Sequence, residues 1–220
     1  MTFDWEFAIE ILPQLIAALR VTVLATVLGI SLAAVLGLVW TVARRVAASP
    51  VAFAARYTVE FVRSTPLLVQ IYFLFYIAPG FGITLSPFLT GVIALGIHYS
   101  AYLSEVYRAG IDAVPKGQWE AAKALNLGMA DTWRRVIVPQ ALPPVLPAMG
   151  NYLVAMFKDT PMLSAITVLE LLQTAKVVGA EHFRYLEPLT LVGALFLILS
   201  LGAAAMVRWG EYRFGVVGAR

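Results

Sequence analysis

STPLLVQIYFLFYIAPGFGITLSPFLTGVIALGIHYSAYLS, residues 64–104, runs for 41 residues without an Asp, Glu, Lys or Arg. His98 is its one side chain that titrates near neutrality. Roughly 20 apolar residues cross a bilayer core as a helix, so the stretch is too long for a single span. Ala78-Pro79-Gly80-Phe81-Gly82 is a turn signal that cuts it. Two spans are predicted, roughly Arg63–Ile77 and Phe88–Tyr107. Three further charge-free windows lie outside it: Val21–Ala43, closed by Arg44-Arg45; Val136–Phe157, carrying Pro139, Pro143, Pro144 and Pro147; and Pro188–Val207. The expected architecture is all-α: a polytopic membrane protein with five transmembrane helices in one domain, residues 1–220.

Composition agrees. Of 220 residues 60% are hydrophobic and 13% charged, against about 45–50% and about 25% in soluble domains. The mean hydropathy is +0.82. A soluble globule of this size has no interior large enough for that much apolar surface, which excludes most soluble enzyme classes. The chain has no cysteine, hence no disulfide framework, thiolate metal site or cysteine nucleophile.

A net charge of +3 invites a nucleic-acid reading, but the placement of the charges points to topology. Arg44, Arg45, Arg56 and Arg63 follow the first span. Arg108, Lys116, Lys123, Arg134 and Arg135 follow the third, and Arg208, Arg213 and Arg220 follow the fifth. These three segments hold 12 of the 16 basic residues. Excess Lys and Arg mark the cytoplasmic side. The alternate segments carry Asp4, Glu6 and Glu10, then Glu170, Glu181 and Glu187. The N-terminus is therefore expected outside and the C-terminus inside. The acidic start lacks a positive n-region, so a cleaved signal peptide is not expected. Trp5–Ala18, with Phe7, Ile11 and Leu15 at helical spacing and a kink at Pro13, reads as an amphipathic segment on the outer interface. Gly29, Ala33 and Gly37 form a small-residue stripe that lets another helix approach closely. Trp40, Tyr72, Tyr76, Trp209 and Tyr212 read as interfacial aromatics.

Residues 108–139 form the longest cytoplasmic segment. Pro115 and Gly117 break the chain, and Gln118–Leu125 reads as a short helix with Glu120 in its first turn, at the positive end of the dipole. Asp131 is placed as the N-cap of a second helix, Thr132–Val138, which Pro139 follows. An Ala-rich helix bounded by breakers suits insertion into a partner, because small side chains let its backbone come close.

Glu120-Ala121-Ala122, a turn, and then Ile137-Val138-Pro139 resemble the EAA loop of permease subunits of binding-protein-dependent ABC importers. Glu60-Phe61-Val62-Arg63-Ser64-Thr65-Pro66-Leu67-Leu68-Val69-Gln70 is similar to the second-span signature of the polar amino acid subfamily. So are Pro115-Lys116-Gly117-Gln118-Trp119-Glu120-Ala121-Ala122 and Lys158-Asp159-Thr160-Pro161-Met162-Leu163. Gly91–Ser100, Ala124–Leu127 and Phe183–Pro188 resemble the ectoine and hydroxyectoine importers within it. The resemblance covers essentially the whole chain. It implies a type I ABC importer-like permease in the bacterial inner membrane. The implied partners are an ATP-binding subunit that supplies the energy, a second permease subunit, similar or identical, and an external solute-binding protein. The solute would be a small zwitterion, an amino acid or a compatible solute such as ectoine. Gly117, Trp119, Glu120, Ala121, Ala122, Asn126 and Gly128 would form the surface that couples to the ATPase. The family usually has Gly where this chain has Asn126, and Asn is the next best residue for a left-handed turn.

Lys158 and Asp159 interrupt an apolar stretch, and charge at membrane depth usually faces a cavity or a partner. Either they line the path, one sign for each pole of a zwitterion and with Thr160 beside them, or they sit where the span ends. His98 is either a satisfied packing residue or a proton relay on the path. Glu105 with Arg108, and Glu60 with Arg63, read as local helix-face pairs. The outer loop, about 161–185, contains Val168–Leu172 as a helical gate. There is no phosphate-binding Gly-rich loop ending in Gly-Lys-Ser/Thr, no His-Glu-x-x-His, and no metal-ligand spacing, so neither cofactor nor metal is expected. Membrane lipid is the remaining partner, and nucleic acid is excluded. The rivals to a transport pore are an intramembrane enzyme and a passive channel.

Overall fold

The computed structural model describes residues 2–46 and 49–213, and all regular structure within them is helical. In chain order the helices are α1 (Trp5–Val46), α2 (Ser49–Ser64), α3 (Leu67–Tyr72), α4 (Pro87–Asp112), α5 (Lys116–Ala124), the single turn α6 (Met129–Asp131), α7 (Val138–Asp159), α8 (Leu171–Glu181) and α9 (Leu186–Arg213). Arg220, on which part of the charge argument rests, lies outside the described residues.

α4 is the central helix, packed against α1, α2, α3 and α7. The small-residue stripe of α1 meets it directly. A Cβ on Gly37 would stand 3.0 Å from both Leu103 Cβ and the Ser100 carbonyl oxygen, and one on Gly29 would stand 3.2 Å from Leu95 Cβ. In return Leu32 of α1 covers Gly96 of α4. In lipid, where apolar burial gives little driving force between helices, such interlocking supplies the association energy. Trp40, expected as an interfacial aromatic, donates its indole N–H to Ser100 Oγ (3.1 Å) and joins the same two helices. The main core gathers around this seam, with Leu95, Tyr99 and Leu103 against Ile71, Met156, Leu163 and Ile166.

Two expectations are corrected at the N-terminus. Trp5–Ala18 is the first part of α1 itself, which runs unbroken through Pro13. Phe7, Ile11 and Leu15 face no membrane surface; they pack on Leu171, Ala175, Val178 and Val192 of α8 and α9 in a second core. An apolar stripe at helical spacing has the same sequence whether it meets lipid or protein. Arg184 then clamps the three segments, bonding Asp4 at 3.0 Å and Glu187 at 2.5 Å. The Phe7 N–H and this guanidinium hold the Asp4 carboxyl below its ordinary range.

Between α2 and α3 the chain bends by 106° at Pro66. The free carbonyls at the end of α2 are collected by one side chain. Gln70 Nε2 donates to Val62 O (2.8 Å), Thr65 O (3.2 Å) and Thr65 Oγ1 (2.7 Å). In lipid each orphaned carbonyl would cost several kcal/mol. The predicted second span thus begins at Leu67 and continues through a wide turn, Phe73–Ile77, and a tight one, Ala78–Phe81. Pro139 does not end a helix either. A wide turn over Thr132–Ile137 leads straight into α7, with Pro139 as its second residue, and the widened turn before it accommodates the proline and its missing N–H.

Judged by length and apolarity, Trp5–Arg45 and Leu186–Gly210 are long enough to cross a membrane, and two bent pairs, Pro50–Ser64 with Leu67–Phe81 and Met129–Ile166 with Leu171–Glu181, also qualify. α4 falls short because its middle carries His98, Tyr99, Ser100 and Ser104, all four buried.

Candidate functional site

The residues singled out in the sequence separate into two groups at opposite ends of α7. At its N-terminal end stands α5, bounded by Pro115. Its C-terminus closes as a Schellman motif: the Leu127 N–H donates to Ala122 O (3.0 Å) and the Asn126 N–H to Lys123 O (2.9 Å). Asn126 is left-handed, φ 52°, so the turn survives without the family's glycine.

α5 rests on a small core of its own. Trp119 meets Trp133 edge-on at 5.3 Å, above Val114 at the end of α4 and Ile137 and Ala141 at the start of α7. Gln140 Nε2 of α7 donates to Gln118 Oε1 (3.2 Å). The short helix is therefore fastened to both α4 and α7. Ala122 is only 2% exposed within the chain itself, which corrects the expectation that it lies open to a partner. The outward face carries Gly117, Glu120 and Ala121, continued by Asn126 and Gly128 and by Leu125 and Met129, which are 74% and 75% exposed. Sequence reasoning passed over those two apolar residues; their position after a breaker-bounded helix was the available signal. Asp131 is not an N-cap. The turn begins at Met129, and Asp131 pairs with Arg135 at 3.0 Å.

The second group lies at the C-terminal end of α7, about 30 Å away at 1.5 Å per residue. Asp159 is half-buried and accepts a hydrogen bond from the Tyr99 hydroxyl of α4 (2.7 Å). Tyr99 belongs to an aromatic cluster with Tyr102 and Tyr152, ring centroids 5.6–6.3 Å apart. His98 packs on Tyr102 at 5.2 Å, with Nδ1 3.2 Å from Gln70 Oε1. The amide oxygen only accepts, so this contact is a hydrogen bond when the proton is on Nδ1. The Arg63 guanidinium stands 5.6 Å over the Tyr102 ring. The structure thus brings Asp159 and His98 onto one polar, aromatic wall of α3, α4 and α7.

It does not bring in the other two. Lys158 is exposed and makes no ion pair with Asp159. Thr160 is fully buried, and its hydroxyl donates to Phe157 O (2.7 Å) within its own helix end. Three tyrosines of this wall, Tyr99, Tyr102 and Tyr152, escaped the sequence reading because their roles depend on α4 and α7 crossing.

The gate segment is also redrawn. Val168–Glu170 is not helical, and α8 starts at Leu171. Glu170 is its N-cap, accepting from the Leu172 (3.0 Å) and Gln173 (2.7 Å) N–H groups. Burial pushes the Glu170 carboxyl up from its ordinary range.

Comparison with known proteins agrees with this geometry. The family model for "Binding-protein-dependent transport system inner membrane component" matches residues 25–215. The chain is 52% identical over 213 residues to the probable amino-acid ABC transporter permease protein y4tG of Sinorhizobium fredii, covering 94% of this chain and 92% of that one. It is 36% identical over 194 residues to the L-cystine transport system permease protein TcyB of Bacillus subtilis, covering 86% and 83%. The crystal structure of an amino acid ABC transporter with histidines superposes with a TM-score of 0.91 at 33% identity, covering 97% of this chain and 100% of the other.

Proposed function

The chain belongs to the family of binding-protein-dependent transport system inner membrane components, as a permease subunit of an amino-acid ABC importer with the type I permease fold, and from that premise we propose how its helices perform import. Residues 1–220 form one permease domain with five spans: α1, Leu67–Phe81, α4, α7 and α9. The N-terminus is outside, and α5 is on the cytoplasmic side. The exposed face of α5 docks in a groove of an ATP-binding subunit. A second permease subunit completes the path, and an external solute-binding protein delivers the solute.

The observation that carries this reading is the placement of α5. Its own core joins it to α4 and α7, the two helices that present Tyr99 and Asp159. Closure of the ATPase pair on ATP draws α5 with it, and α4 and α7 tilt as units because their seams are close-packed. The wall around Asp159 then opens outward, and hydrolysis resets it inward.

The solute is a small zwitterion of the amino-acid class. The relatives named for amino acids and for cystine transport molecules with an α-ammonium and an α-carboxylate group. Asp159, held by Tyr99, faces the cationic pole, and Lys158 stands free to meet the carboxylate at the path's rim. Ectoine and hydroxyectoine fall in the same charge class and serve as competitor solutes.

The test is co-purification of a tagged chain with its ATP-binding subunit, together with tag accessibility. A tag before Trp5 is reached by protease from outside in spheroplasts, and a reporter after Arg220 is cytoplasmic. A protected N-terminal tag refutes the orientation, and no co-purifying ATPase refutes the coupling.

A further inference from the structure

At the α5 end of the bundle a cavity of about 110 Å³ opens between α1, α2 and α4. Four arginines line it, Arg44, Arg45, Arg56 and Arg108, with Asp112 at its side. The carboxylates among them are already committed. Glu105 accepts from Arg44 (2.6 Å) and Arg108 (2.7 Å), and Asp112 from Arg45 (2.9 Å) and Arg108 (3.2 Å). The hydroxyls of Thr41 and Ser104 donate to backbone carbonyls. Four guanidinium groups against two carboxylates leave a surplus of two positive charges on a face open to solvent, where Arg56 is exposed and Arg108 half-exposed. Arg56 makes no ion pair among the described residues.

A group that can take several of these N–H donors at once, such as a tetrahedral oxyanion, is complementary to this surplus. The cavity is several times the roughly 10–15 Å³ needed to admit one water on the same measure, room enough for a phosphate group. A phosphate monoester carries about −1.5 to −2 near neutral pH, which matches the surplus. Its source is indicated by what adjoins it. Arg56 also borders a shallow open depression on the surface of α2, with Ala52, Phe53 and Tyr57. Phe53, Tyr57 and Phe61 are exposed along one side of α2. α2 bends by 106° into the apolar segment Leu67–Phe81. If that segment crosses the bilayer, α2 lies along its surface, the posture of an interfacial amphipathic helix. A cationic cavity that continues into aromatic surface at that level fits a headgroup with its acyl chains attached.

We propose that this cavity binds the phosphate of an anionic phospholipid in the cytoplasmic leaflet, with a phosphomonoester headgroup preferred. The proposal rests on the membrane reading of these helices and on nothing about the solute. Lipid retention is measured without ATP or solute, so its failure is distinguishable from a failure of import.

The experiment is native mass spectrometry of the assembled transporter in detergent with phosphatidic acid, phosphatidylcholine or inorganic phosphate added. The unmodified complex retains phosphatidic acid over phosphatidylcholine. Arg56→Gln weakens retention about five-fold, the fold-change equal to ~1 kcal/mol per basic residue near an anionic surface. Arg56→Lys keeps most of it, and Arg135→Gln, an exposed arginine elsewhere at that end, leaves it unchanged. Equal retention by Arg56→Gln and the unmodified complex overturns the proposal, as does an equal loss in Arg135→Gln. Inorganic phosphate that displaces the lipid at equal concentration overturns the lipid as the source. Loss of the ATP-binding subunit from Arg56→Gln with lipid retained overturns it in favour of a protein contact. Should Arg56→Gln not assemble, the unmodified complex decides alone, and equal retention of the two lipids overturns the proposal.

Discussion

Tyr99→Phe and Asp159→Asn act on one hydrogen bond and are expected to rank in opposite orders for stability and for transport. The Tyr99 hydroxyl donates to Asp159 Oδ2 at 2.7 Å, and the Tyr99 ring is buried. A hydrogen bond to a charged group is worth about 1.5–3 kcal/mol, and Tyr99→Phe removes it while leaving a half-buried carboxylate without its donor. Asp159→Asn keeps a carbonyl oxygen for the hydroxyl, so it exchanges a charged bond for a neutral one and costs about 1 kcal/mol. Stability therefore falls more in Tyr99→Phe. Transport responds to the charge. A solute ammonium about 4 Å from Asp159 gains roughly 4 kcal/mol at an effective dielectric of 20, before dehydration returns part of it. A net of about 1.5–3 kcal/mol remains, and its loss lowers uptake about 10- to 100-fold. Asp159→Asn should fall by that much per assembled complex, and Tyr99→Phe by less than about five-fold. The assay is labelled-solute uptake in proteoliposomes, normalised to the ATP-binding subunit present, beside thermal unfolding of the same samples. Unchanged uptake per complex in Asp159→Asn, or one ranking for both measurements, refutes the reasoning.

Three more outcomes follow from the α5 and α8 ends. Ala121→Asp, on the exposed face of α5, should abolish ATPase co-purification while the chain still folds, whereas Ala122→Asp buries an unpaired charge and should cost the chain itself several kcal/mol, read as a lost melting transition. Asn126→Gly should preserve the left-handed turn and substrate-stimulated ATP hydrolysis, while Asn126→Val should cost about 1–3 kcal/mol and loosen α5, visible as faster amide exchange at Leu127. Glu170 has its carboxyl raised by burial, so its contribution to stability is full below the ordinary carboxylate value and is lost as the pH rises through the raised one. Thermal stability should therefore decline over that window above the ordinary carboxylate range, and Glu170→Gln should flatten the decline.

What could be read from the sequence was whatever depends on one segment at a time. The charge-free windows located the apolar helices, and Gly29, Ala33 and Gly37 announced the close seam that α1 makes with α4. Asn126 announced its own backbone. The misplaced features all depend on a second segment. Phe7, Ile11 and Leu15 meet α8 and α9 rather than lipid, and the periodicity is the same for both. Ala121 and Ala122 are adjacent letters, yet the first is exposed and the second buried, a difference set by how α5 packs and not by its composition. Pro139 reads as a stop, but the wide turn before it absorbs the missing N–H. Lys158 and Asp159 look like a pair in sequence. The crossing of α4 over α7 gives Asp159 to Tyr99 and leaves Lys158 exposed.

The central claim is that this chain forms a path driven from α5 by ATP hydrolysis elsewhere. The direct measurement is accumulation of a labelled amino acid in proteoliposomes that contain the assembled permease and ATP-binding subunits, with the external binding protein on the solute side and ATP on the α5 side. The account predicts accumulation above the external concentration that requires ATP and the binding protein and is lost in Ala121→Asp. Influx that merely equilibrates, at the same rate with and without ATP and unaffected by that substitution, would contradict it and leave a passive channel.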